Sequence, residues 1–306
     1  MRILRGLASF PPDLRPSVTA LGVFDGIHLA HARILREAVD RARALGLPAV
    51  VCTFDPHPAA VLQPDRAPVP IATLEENLER MADIGADAAL IIPFTLEFSR
   101  VEADAFVEHV LVETLGVREV VVGFNHTFGR GARGTPSRLG ELGRRYGFAT
   151  HVLPPLEVKG QPVSSSAIRE ALREGDVELA GELLGHPYRL SGTVVRGAGR
   201  GRTLGFPTAN LRPDRPLILA AGVYAARVAW EESRGKAVVN VGYRPTFNED
   251  EYWVETYIFD FSGDLYGKRF SVEFLSRIRA EMKFPSVDVL KRQVGDDMAE
   301  ARRRLA

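Results

Sequence analysis

The chain has 306 residues, of which 45% are hydrophobic and 25% are charged, an ordinary globular composition with room for two domains. Its 39 basic and 39 acidic residues give a formal net charge of zero, which excludes a general affinity for nucleic acid and leaves only local anion sites. With no apolar run long enough to span a bilayer and no recognisable signal peptide, we expect a cytoplasmic protein without a membrane partner.

The first half of the chain alternates short apolar runs with amphipathic ones. This alternation predicts a doubly wound α/β domain, with a parallel sheet and helices on both faces. Cys52, the single cysteine, lies in one of the apolar runs and is expected to be a buried core thiol. Strands are predicted over residues 18–24, 49–54, 88–93, 119–123 and 149–153, and helices over residues 32–45, 74–84, 103–115 and 137–146.

The second half changes to strand-like runs separated by turn signals. After a connecting helix over residues 176–184, this pattern predicts a small antiparallel β-barrel. A C-terminal helix is expected from about Ser286, a suitable N-cap, to Leu305. The domain boundary is placed near residues 185–188. The predicted strands are residues 189–195, 222–230, 236–241, 253–259 and 269–275.

The first motif with clear chemistry is Gly22–His31, which follows the first predicted strand and leads into the first helix. Ligands of doubly wound sheets bind there, because the helix start offers unpaired N–H groups and a partial positive charge. Two histidines at this place would stabilise charge on an α-phosphate during in-line attack. A zinc site completed by His57 is the alternative. The candidate residues are Phe24, Gly26, His28 and His31.

A second motif, Val163–Arg169, places three hydroxyls before a helix. The hydroxyls could simply cap that helix, and this role stays open. The same hydroxyls, with the planar guanidinium of the arginine, also suit the β- and γ-phosphates of ATP. The candidate residues are Ser164, Ser165, Ser166 and Arg169.

These two motifs resemble the HxGH and ISSTxxR signatures of the nucleotidyltransferase superfamily. Residues 53–58 (TFDPHP) and 123–129 (GFNHTFG) narrow the resemblance to prokaryotic FAD synthetases. The resemblance implies that Asn125 and Phe128 line an FMN pocket, where an aromatic face would lie against the isoalloxazine ring. Core packing is the other role open to Phe128.

The chain departs from the superfamily signatures at two positions. Ala30 stands where the first signature has glycine, and Ser166 where the second has threonine. A serine keeps the hydroxyl. Glycine lets the backbone approach phosphates closely, so Ala30 is expected either to be tolerated or to slow adenylylation.

The second half carries a glycine-rich segment, residues 197–210 (GAGRGRTLGFPTAN). Its glycines suit a loop that wraps phosphates, although a flexible hairpin would explain them equally, and the segment is neither a P-loop nor GxGxxG. Thr208 and Asn210 offer oxygen ligands to a hard cation, which predicts Mg²⁺ beside nucleotide phosphates. The candidate phosphate-binding residues are Gly197, Gly199, Gly201, Arg202 and Gly205.

Glu255 lies in an otherwise apolar, strand-like run and is the candidate general base. A buried, unpaired carboxylate is costly, so it should have a partner or a chemical role. Because side chains alternate along a strand, an outward-facing residue is the other interpretation.

The segment GFPTAN at residues 205–210 is similar to the PTAN signature of riboflavin kinases. Residues 241–247 and 264–267 resemble further segments of that family, and Glu255 falls where the family has its catalytic glutamate. The resemblance implies a six-stranded antiparallel barrel with ATP and Mg²⁺ between the glycine loop and Thr208.

The resemblances cover nearly the whole chain in order and identify it as a member of the prokaryotic bifunctional riboflavin kinase/FMN adenylyltransferase family. They imply a nucleotidyltransferase-like α/β domain over residues 1–185 and a riboflavin kinase-like barrel domain over residues 186–306. The implied activity is phosphorylation of riboflavin to FMN, followed by adenylylation of FMN to FAD with release of pyrophosphate. Riboflavin, FMN and ATP are the expected ligands and Mg²⁺ the expected cofactor; the oligomeric state stays open.

Two other functions share features with this sequence. An aminoacyl-tRNA synthetase would share the histidine motif, but the chain has no KMSKS-like loop and no basic balance. A flavin-sensing or storage protein with decayed sites is favoured only by Ala30. An intermediate case keeps a working kinase beside a weak adenylylating domain.

Overall fold

A computed structural model describes residues 1–197, 205–245 and 250–306. The chain divides into two compact units, Met1–Val163 and Ser164–Ala306. The domain border predicted after residue 185 lies two helices further along the chain and stays a prediction. None of the described helices is long and apolar enough to span a membrane.

The first unit is built on a sheet of six parallel strands. The strand that directly precedes the first motif lies in the middle of the sheet. The outermost strand at one edge was not predicted from the sequence. The strands are β1 (Arg2–Arg5), β2 (Ser17–Leu21), β3 (Ala49–Asp55), β4 (Ala88–Pro93), β5 (Val117–Gly123) and β6 (Ala149–Leu153), in the order β1-β4-β3-β2-β5-β6. A small hairpin of β7 (Glu157–Val158) and β8 (Gln161–Pro162) follows.

Helices cover both faces of this sheet, which confirms the doubly wound α/β class. The helix predicted over residues 103–115 is one turn of α-helix that continues as a π-helix, Val107–Thr114. The α-helices of the first unit are α1 (Leu29–Leu45), α2 (Pro58–Leu62), α3 (Leu74–Ile84), α4 (Ala103–Phe106) and α5 (Pro136–Tyr146).

The alternation of side chains along the buried strands divides the core in two. On β4, Ala89 and Ile91 pack in the cluster that contains α1 and α3, whereas Leu90 and Ile92 pack in the cluster that contains the π-helix and α5. Cys52 belongs to the second cluster, and burial raises the pKa of its thiol to about 12. The predicted core thiol is confirmed.

The strand order places a topological switch point beside β2. The chain continues from β2 to β3 on one side and returns to β5 on the other. In open α/β sheets, ligands bind beyond the carboxyl ends of the strands at such a point. The segments that follow β2, β3 and β5 are the histidine motif, residues 53–58 and residues 123–129, so three sequence motifs meet at one sheet edge.

The second unit starts with two helices and continues into a closed barrel of six antiparallel strands, which confirms the predicted barrel. The barrel order is β10-β13-β12-β11-β14-β9. The elements are α6 (Ser165–Glu174), α7 (Val177–Leu184), β9 (Tyr188–Val195), β10 (Ala209–Pro213), β11 (Gly222–Trp230), β12 (Ser233–Pro245), β13 (Asp250–Ile258), β14 (Arg269–Ala280) and α8 (Val287–Arg304).

The two faces of the barrel wall differ in their packing. Tyr188, Tyr224 and Phe274 pack ring against ring and are fully buried. On the opposite face, Val223 and Val238 pack under α8, which covers part of the outside of the barrel. The predicted N-cap of this helix is confirmed, because the Val289 N–H donates to Ser286 Oγ at 3.3 Å.

Candidate active sites

The loop after β2 is held by buried polar side chains. The Asp25 carboxylate accepts hydrogen bonds from the backbone N–H groups of Ile71, at 3.0 Å, and Ala72, at 3.1 Å. The Gly26 N–H donates to Asn77 Oδ1 at 2.9 Å. Strand β2 ends at Leu21 and does not reach residue 24 as predicted. Gly26 and Ile27 have φ of +83° and +40°, so the chain turns sharply before α1. The loop is therefore fixed by α3 and the residues before it.

His28 and His31 lie together at the start of α1. The rings stack at 3.6 Å between centroids with a 16° angle, and the His31 N–H donates to His28 Nδ1 at 3.2 Å. Because Nδ1 accepts this bond, the proton of the neutral His28 ring lies on Nε2, which is then a donor. Phe24 is buried and packs edge-on against His31 at 5.2 Å. The sequence motif thus forms a compact pair of imidazoles at a helix N-terminus.

The zinc alternative finds no support in this arrangement. His57 accepts from the Ala59 N–H at 3.1 Å and so caps the short helix α2. Among residues 1–197, 205–245 and 250–306, no group of three or more His, Cys, Asp or Glu side chains is arranged to hold a metal ion.

The segment after β5 places one candidate flavin residue at the surface and one in the core. Asn125 is exposed. Phe128 is buried and packs against Phe106 at 5.6 Å, the role in the core that the sequence left open. His126 stacks on Phe128 at 5.8 Å, and burial lowers the pKa of its imidazole to about 4. His126 Nε2 forms no hydrogen bond with any part of the chain that the structure describes.

The serine motif starts the second unit. The Ala167 N–H donates to Ser164 Oγ at 3.2 Å, so this hydroxyl caps α6 as the structural alternative proposed. Ser165 is half-buried and Ser166 exposed. Arg169 lies one turn further along the same helix and is 6% exposed. The cap accounts for one hydroxyl, and a phosphate role for the other residues stays a prediction.

The barrel carries a cavity of about 300 Å³ between its outer wall and α8. Glu255 faces it, since the neighbours Val254 and Thr256 are buried while Glu255 is half-buried on the opposite face of β13. Glu255 can therefore point out of the barrel, as one interpretation of the sequence expects, and still act chemically in this cavity. The lining includes Phe206, Thr208, Asn240, Glu255, Arg279 and Asp297.

Two amides flank this carboxylate across the sheet. Asn210 on β10 and Asn240 on β12 are both directly opposite Glu255 in the strand register. Directly paired residues point to the same face of a sheet, so the three side chains form one row, with the carboxylate in the middle. Strand β10 was not predicted, and it is the element that brings Asn210 into the row.

Asn210 has the properties expected of a ligand residue. It is 7% exposed, and its Oδ1 has no hydrogen-bond partner among the described residues. A buried carbonyl oxygen without a partner is costly. A Cβ atom built on Gly197 would lie 2.4 to 2.6 Å from the Asn210 amide, so only glycine leaves room for that side chain. An amide oxygen is a donor that Mg²⁺ accepts, and these residues fit the predicted cation.

A buried ion pair forms another wall of the same cavity. Arg279 on β14 donates to the Asp297 carboxylate of α8 at 2.7 to 3.1 Å, and Gln293 donates to the same carboxylate at 3.0 Å. The Asp297 side chain is 4% exposed. Removal of either charge would leave the other without its counter-charge, which is costly. The pair therefore fixes α8 over the barrel.

Part of the glycine-rich segment lies outside the described residues. Gly199, Gly201 and Arg202 of this segment are outside the described residues. Thr246 and Phe247, from the further family segment at residues 241–247, are outside them too. Gly205 is exposed and has φ of +92°, a conformation that glycine adopts readily.

Comparison with known proteins agrees with an α/β unit followed by a barrel. A family model described as FAD synthetase matches residues 10–167, and one described as riboflavin kinase matches residues 184–305. A bifunctional riboflavin kinase/FMN adenylyltransferase of Haemophilus influenzae is 36% identical over 303 residues, which are 99% of this chain and 98% of that protein. The chain belongs to the bifunctional riboflavin kinase/FMN adenylyltransferase family.

Two further relatives span nearly the same length. The bifunctional riboflavin kinase/FMN adenylyltransferase of Listeria monocytogenes is 38% identical over 93% of this chain and 91% of that protein. A crystal structure named Macrolide-efflux Protein from Streptococcus pneumoniae is similar with a TM-score of 0.90 at 33% identity, and the match covers 99% of both chains. The fold of the whole chain is thus shared with a solved structure.

Sequence reasoning missed three residues that shape these sites. Asn77 is a polar residue on the buried side of an amphipathic helix, and that position was a usable signal. Asn240 and Arg279 could not be found in this way, because their proximity to Glu255 and Asp297 depends on strand register and on where α8 packs.

Proposed function

We propose that this chain makes FAD in two steps, each with its own ATP. The barrel transfers the γ-phosphate of ATP to the ribityl 5′-hydroxyl of riboflavin and so forms FMN. The residues around the histidine pair and the serine motif then transfer AMP from ATP to FMN, which gives FAD and pyrophosphate. The observation that carries the proposal is the row of Asn210, Glu255 and Asn240, of which Glu255 and Asn240 line a 300 Å³ cavity, in a chain whose family has both activities in its name.

In the kinase step, Glu255 accepts the proton of the ribityl hydroxyl as the oxygen attacks the γ-phosphorus. The bond from that phosphorus to the β-phosphate oxygen breaks, and ADP leaves. A half-buried carboxylate suits this role, because it can reach a substrate in the cavity while it is only partly exposed to bulk water. Asn240 and Asn210, on either side of it, fix the position of the attacking hydroxyl relative to the phosphates.

Thr208 and Asn210 would hold Mg²⁺ in this step. When bound, the ion neutralises charge on the transferred and leaving phosphates. Gly197 leaves the space that the Asn210 amide occupies. The phosphate-binding role of the loop is proposed for Gly197, Gly199, Gly201, Arg202 and Gly205.

In the adenylylation step, a phosphate oxygen of FMN attacks the α-phosphorus of ATP, and the bond to the β-phosphate breaks. No covalent intermediate with the protein is needed, because positioning and charge stabilisation are sufficient. His28 donates from Nε2 to the α-phosphate, while Phe24 and the stacked His28 ring orient His31. The backbone at Gly26 and the start of α1 supplies further donors.

The remaining predicted residues hold the leaving group and the flavin. Arg169 and the serine hydroxyls would bind the pyrophosphate, with Ser164 also capping α6. Asn125, which is exposed, would contact FMN directly, and Phe128 would line the pocket from the core side. The phosphate-binding set in this proposal is Phe24, Gly26, Ser164, Ser165 and Ser166.

The experiment that tests the proposal is chromatography of the purified protein incubated with riboflavin, ATP and Mg²⁺. FMN followed by FAD is the expected result, and it would make Ala30 a tolerated replacement of the motif glycine. FMN without FAD would leave the kinase intact and point to Ala30, with Ala30→Gly as the variant that should restore adenylylation. Unchanged riboflavin with a folded protein would favour a flavin-binding protein and contradict the proposal.

We do not carry the efflux activity in the name of the Streptococcus pneumoniae structure over to this chain. Both family models and the curated relatives name flavin enzymes, and together they cover nearly all of the chain.

A further inference from the structure

A row of charged side chains crosses the outer face of the barrel away from the Glu255 cavity. Lys236 on β12 is directly opposite Arg227 on β11, Arg227 is opposite Glu273 on β14, and Glu273 is opposite Arg189 on β9. The row thus crosses four adjacent strands, about 14 Å at the usual strand spacing. Arg234 lies two residues from Lys236 on the same face of β12.

These side chains surround a concavity of about 430 Å³. None of its lining residues also lines the Glu255 cavity, so the two depressions are separate. Arg227, Arg234 and Lys236 are exposed, whereas Arg189 and Glu273 are half-buried. The concavity therefore has cations at its rim and one carboxylate within its wall.

The charges are arranged at a cost to the fold. Four cations surround one carboxylate, and Arg227 and Lys236 are like charges directly opposite each other, which destabilises a strand pair. In the part of the chain that the structure describes, the side chains of Arg227, Arg234 and Lys236 form no hydrogen bond and no ion pair. Glu273, opposite Arg227 and Arg189, offsets part of this repulsion, but one carboxylate cannot neutralise four cations, so an external anion is the natural partner for the excess positive charge.

We propose that this concavity binds a diphosphate group. Planar arginine forks and a lysine ammonium are the side chains that best recognise phosphate oxygens. A single phosphate would reach only part of a row that spans four strands, whereas two linked phosphates contact cations from neighbouring strands together. Inorganic pyrophosphate and the diphosphates of ADP and FAD share this chemistry. The inference does not depend on either proposed catalytic step.

The test is the chemical reactivity of Lys236 in the full-length protein. The protein is treated with an acetylating reagent at low ionic strength, with increasing inorganic pyrophosphate, and acetylation of each lysine is quantified by mass spectrometry. Bound pyrophosphate should protect Lys236 saturably, and added salt should weaken the protection. Lys159, in the other unit, is the internal control and should keep its reactivity. Parallel series with ADP and FAD distinguish free pyrophosphate from a diphosphate within a nucleotide.

Three variants make the test specific to the concavity. Arg227→Gln/Arg234→Gln should need about tenfold more pyrophosphate for the same protection, because two charge-assisted contacts are lost. Glu273→Gln should need less, because the only carboxylate in the wall is neutralised. Arg118→Gln/Arg144→Gln removes two exposed arginines of the first unit and should leave the titration unchanged.

A structural measurement separates loss of binding from loss of folding. Because Arg227 opposes both a like charge, Lys236, and an opposite charge, Glu273, Arg227→Gln/Arg234→Gln should leave the thermal midpoint nearly unchanged while binding weakens. The proposal is overturned if neither pyrophosphate, ADP nor FAD protects Lys236, or if protection is the same in the double variant. Protection by polyglutamate alone would also overturn it and assign the surface to an acidic protein partner.

Discussion

The loop at the start of α1 and the cavity under α8, the two nucleotide sites that we propose, differ in how their buried polar groups are satisfied. In the loop, the buried polar groups of the backbone and of Asp25 are satisfied by the protein itself, through Ile71, Ala72 and Asn77. Beside the cavity, in the row with Glu255, the Asn210 amide oxygen is buried without a described partner. The polar groups of the loop thus have partners within the protein, whereas the Asn210 oxygen is one that a ligand would satisfy.

This difference indicates how each site should respond to substitution. Changes around the loop should act through the position of the histidines, even where the changed residue touches no substrate. Changes in the cavity should act through the ligand itself. The predictions below test the separation of the two sites first and the internal support of the loop afterwards.

Replacement of Glu255 should have the largest effect. Glu255→Ala should lower the rate of FMN formation from riboflavin by about 10²- to 10⁴-fold, the usual contribution of a general base, and leave FAD formation from supplied FMN unchanged. Rates are measured by chromatography of each product. Glu231→Ala removes an exposed carboxylate that pairs with Lys268 and should affect neither rate. Loss of both activities in a folded Glu255→Ala protein would refute separate sites.

Replacement of His28 should give the opposite pattern. His28→Ala should lower FAD formation from FMN by about 10²- to 10³-fold, as expected for removal of a donor to the developing charge, and spare FMN formation. His109→Ala is the matched control, since His109 is an exposed histidine of the same unit that pairs with Glu113. An unchanged FAD rate in His28→Ala would exclude His28 from the site.

His126 differs from the loop after β2, because its buried Nε2 has no hydrogen-bond partner among the described residues. Its folded pKa of about 4 lies below the unfolded value, so the unfolded chain binds the proton more tightly. Stability should fall as the pH drops from about 6.5 to about 4, by up to about 3 kcal/mol in the free energy of unfolding. His126→Phe should remove that part of the pH dependence in urea unfolding. An identical pH profile in both proteins would contradict the buried, neutral ring.

Replacement of Asn77 should have the smallest effect and the most informative one. Asn77→Ala removes the side-chain acceptor of the buried Gly26 N–H, which should cost about 1 to 3 kcal/mol of stability and loosen the histidine loop. FAD formation should fall while FMN formation stays the same, and Asn77→Asp, which keeps an acceptor oxygen, should recover part of the rate. A stability loss with unchanged FAD formation would show that the loop does not need this support.

Most of the fold could be predicted from the sequence because its elements have strong periodicity. The helix over Leu74–Ile84 and the strands Ala88–Pro93 and Gly222–Trp230 have the predicted bounds. The missed strand Arg2–Arg5 is short, mostly exposed and paired only with β4, so its residues carry no alternation. The missed strand Ala209–Pro213 ends in proline and follows a glycine-rich loop, and both features indicated a turn.

The sites were predictable where one segment carries the chemistry. His28 and His31 are three residues apart on one helix start, so local sequence was enough to bring their rings together. The row of amides around Glu255 combines three strands, and only the register of the closed barrel places Asn240 in it. Local motifs therefore indicate the candidate reactive residues. The residues around them are brought close by the strand order and register.

The helices α6 and α7 have a consequence for where this enzyme can be divided. Arg277 of the barrel donates to the carbonyl oxygens of Glu174 at the end of α6 and of Ala221, and the Ala220 N–H donates to Leu172. A protein starting at residue 186 would expose the barrel surface under these helices, and one ending at residue 163 would lose the serine motif. We therefore expect that separate expression of each activity needs this helical segment in both halves of a divided gene.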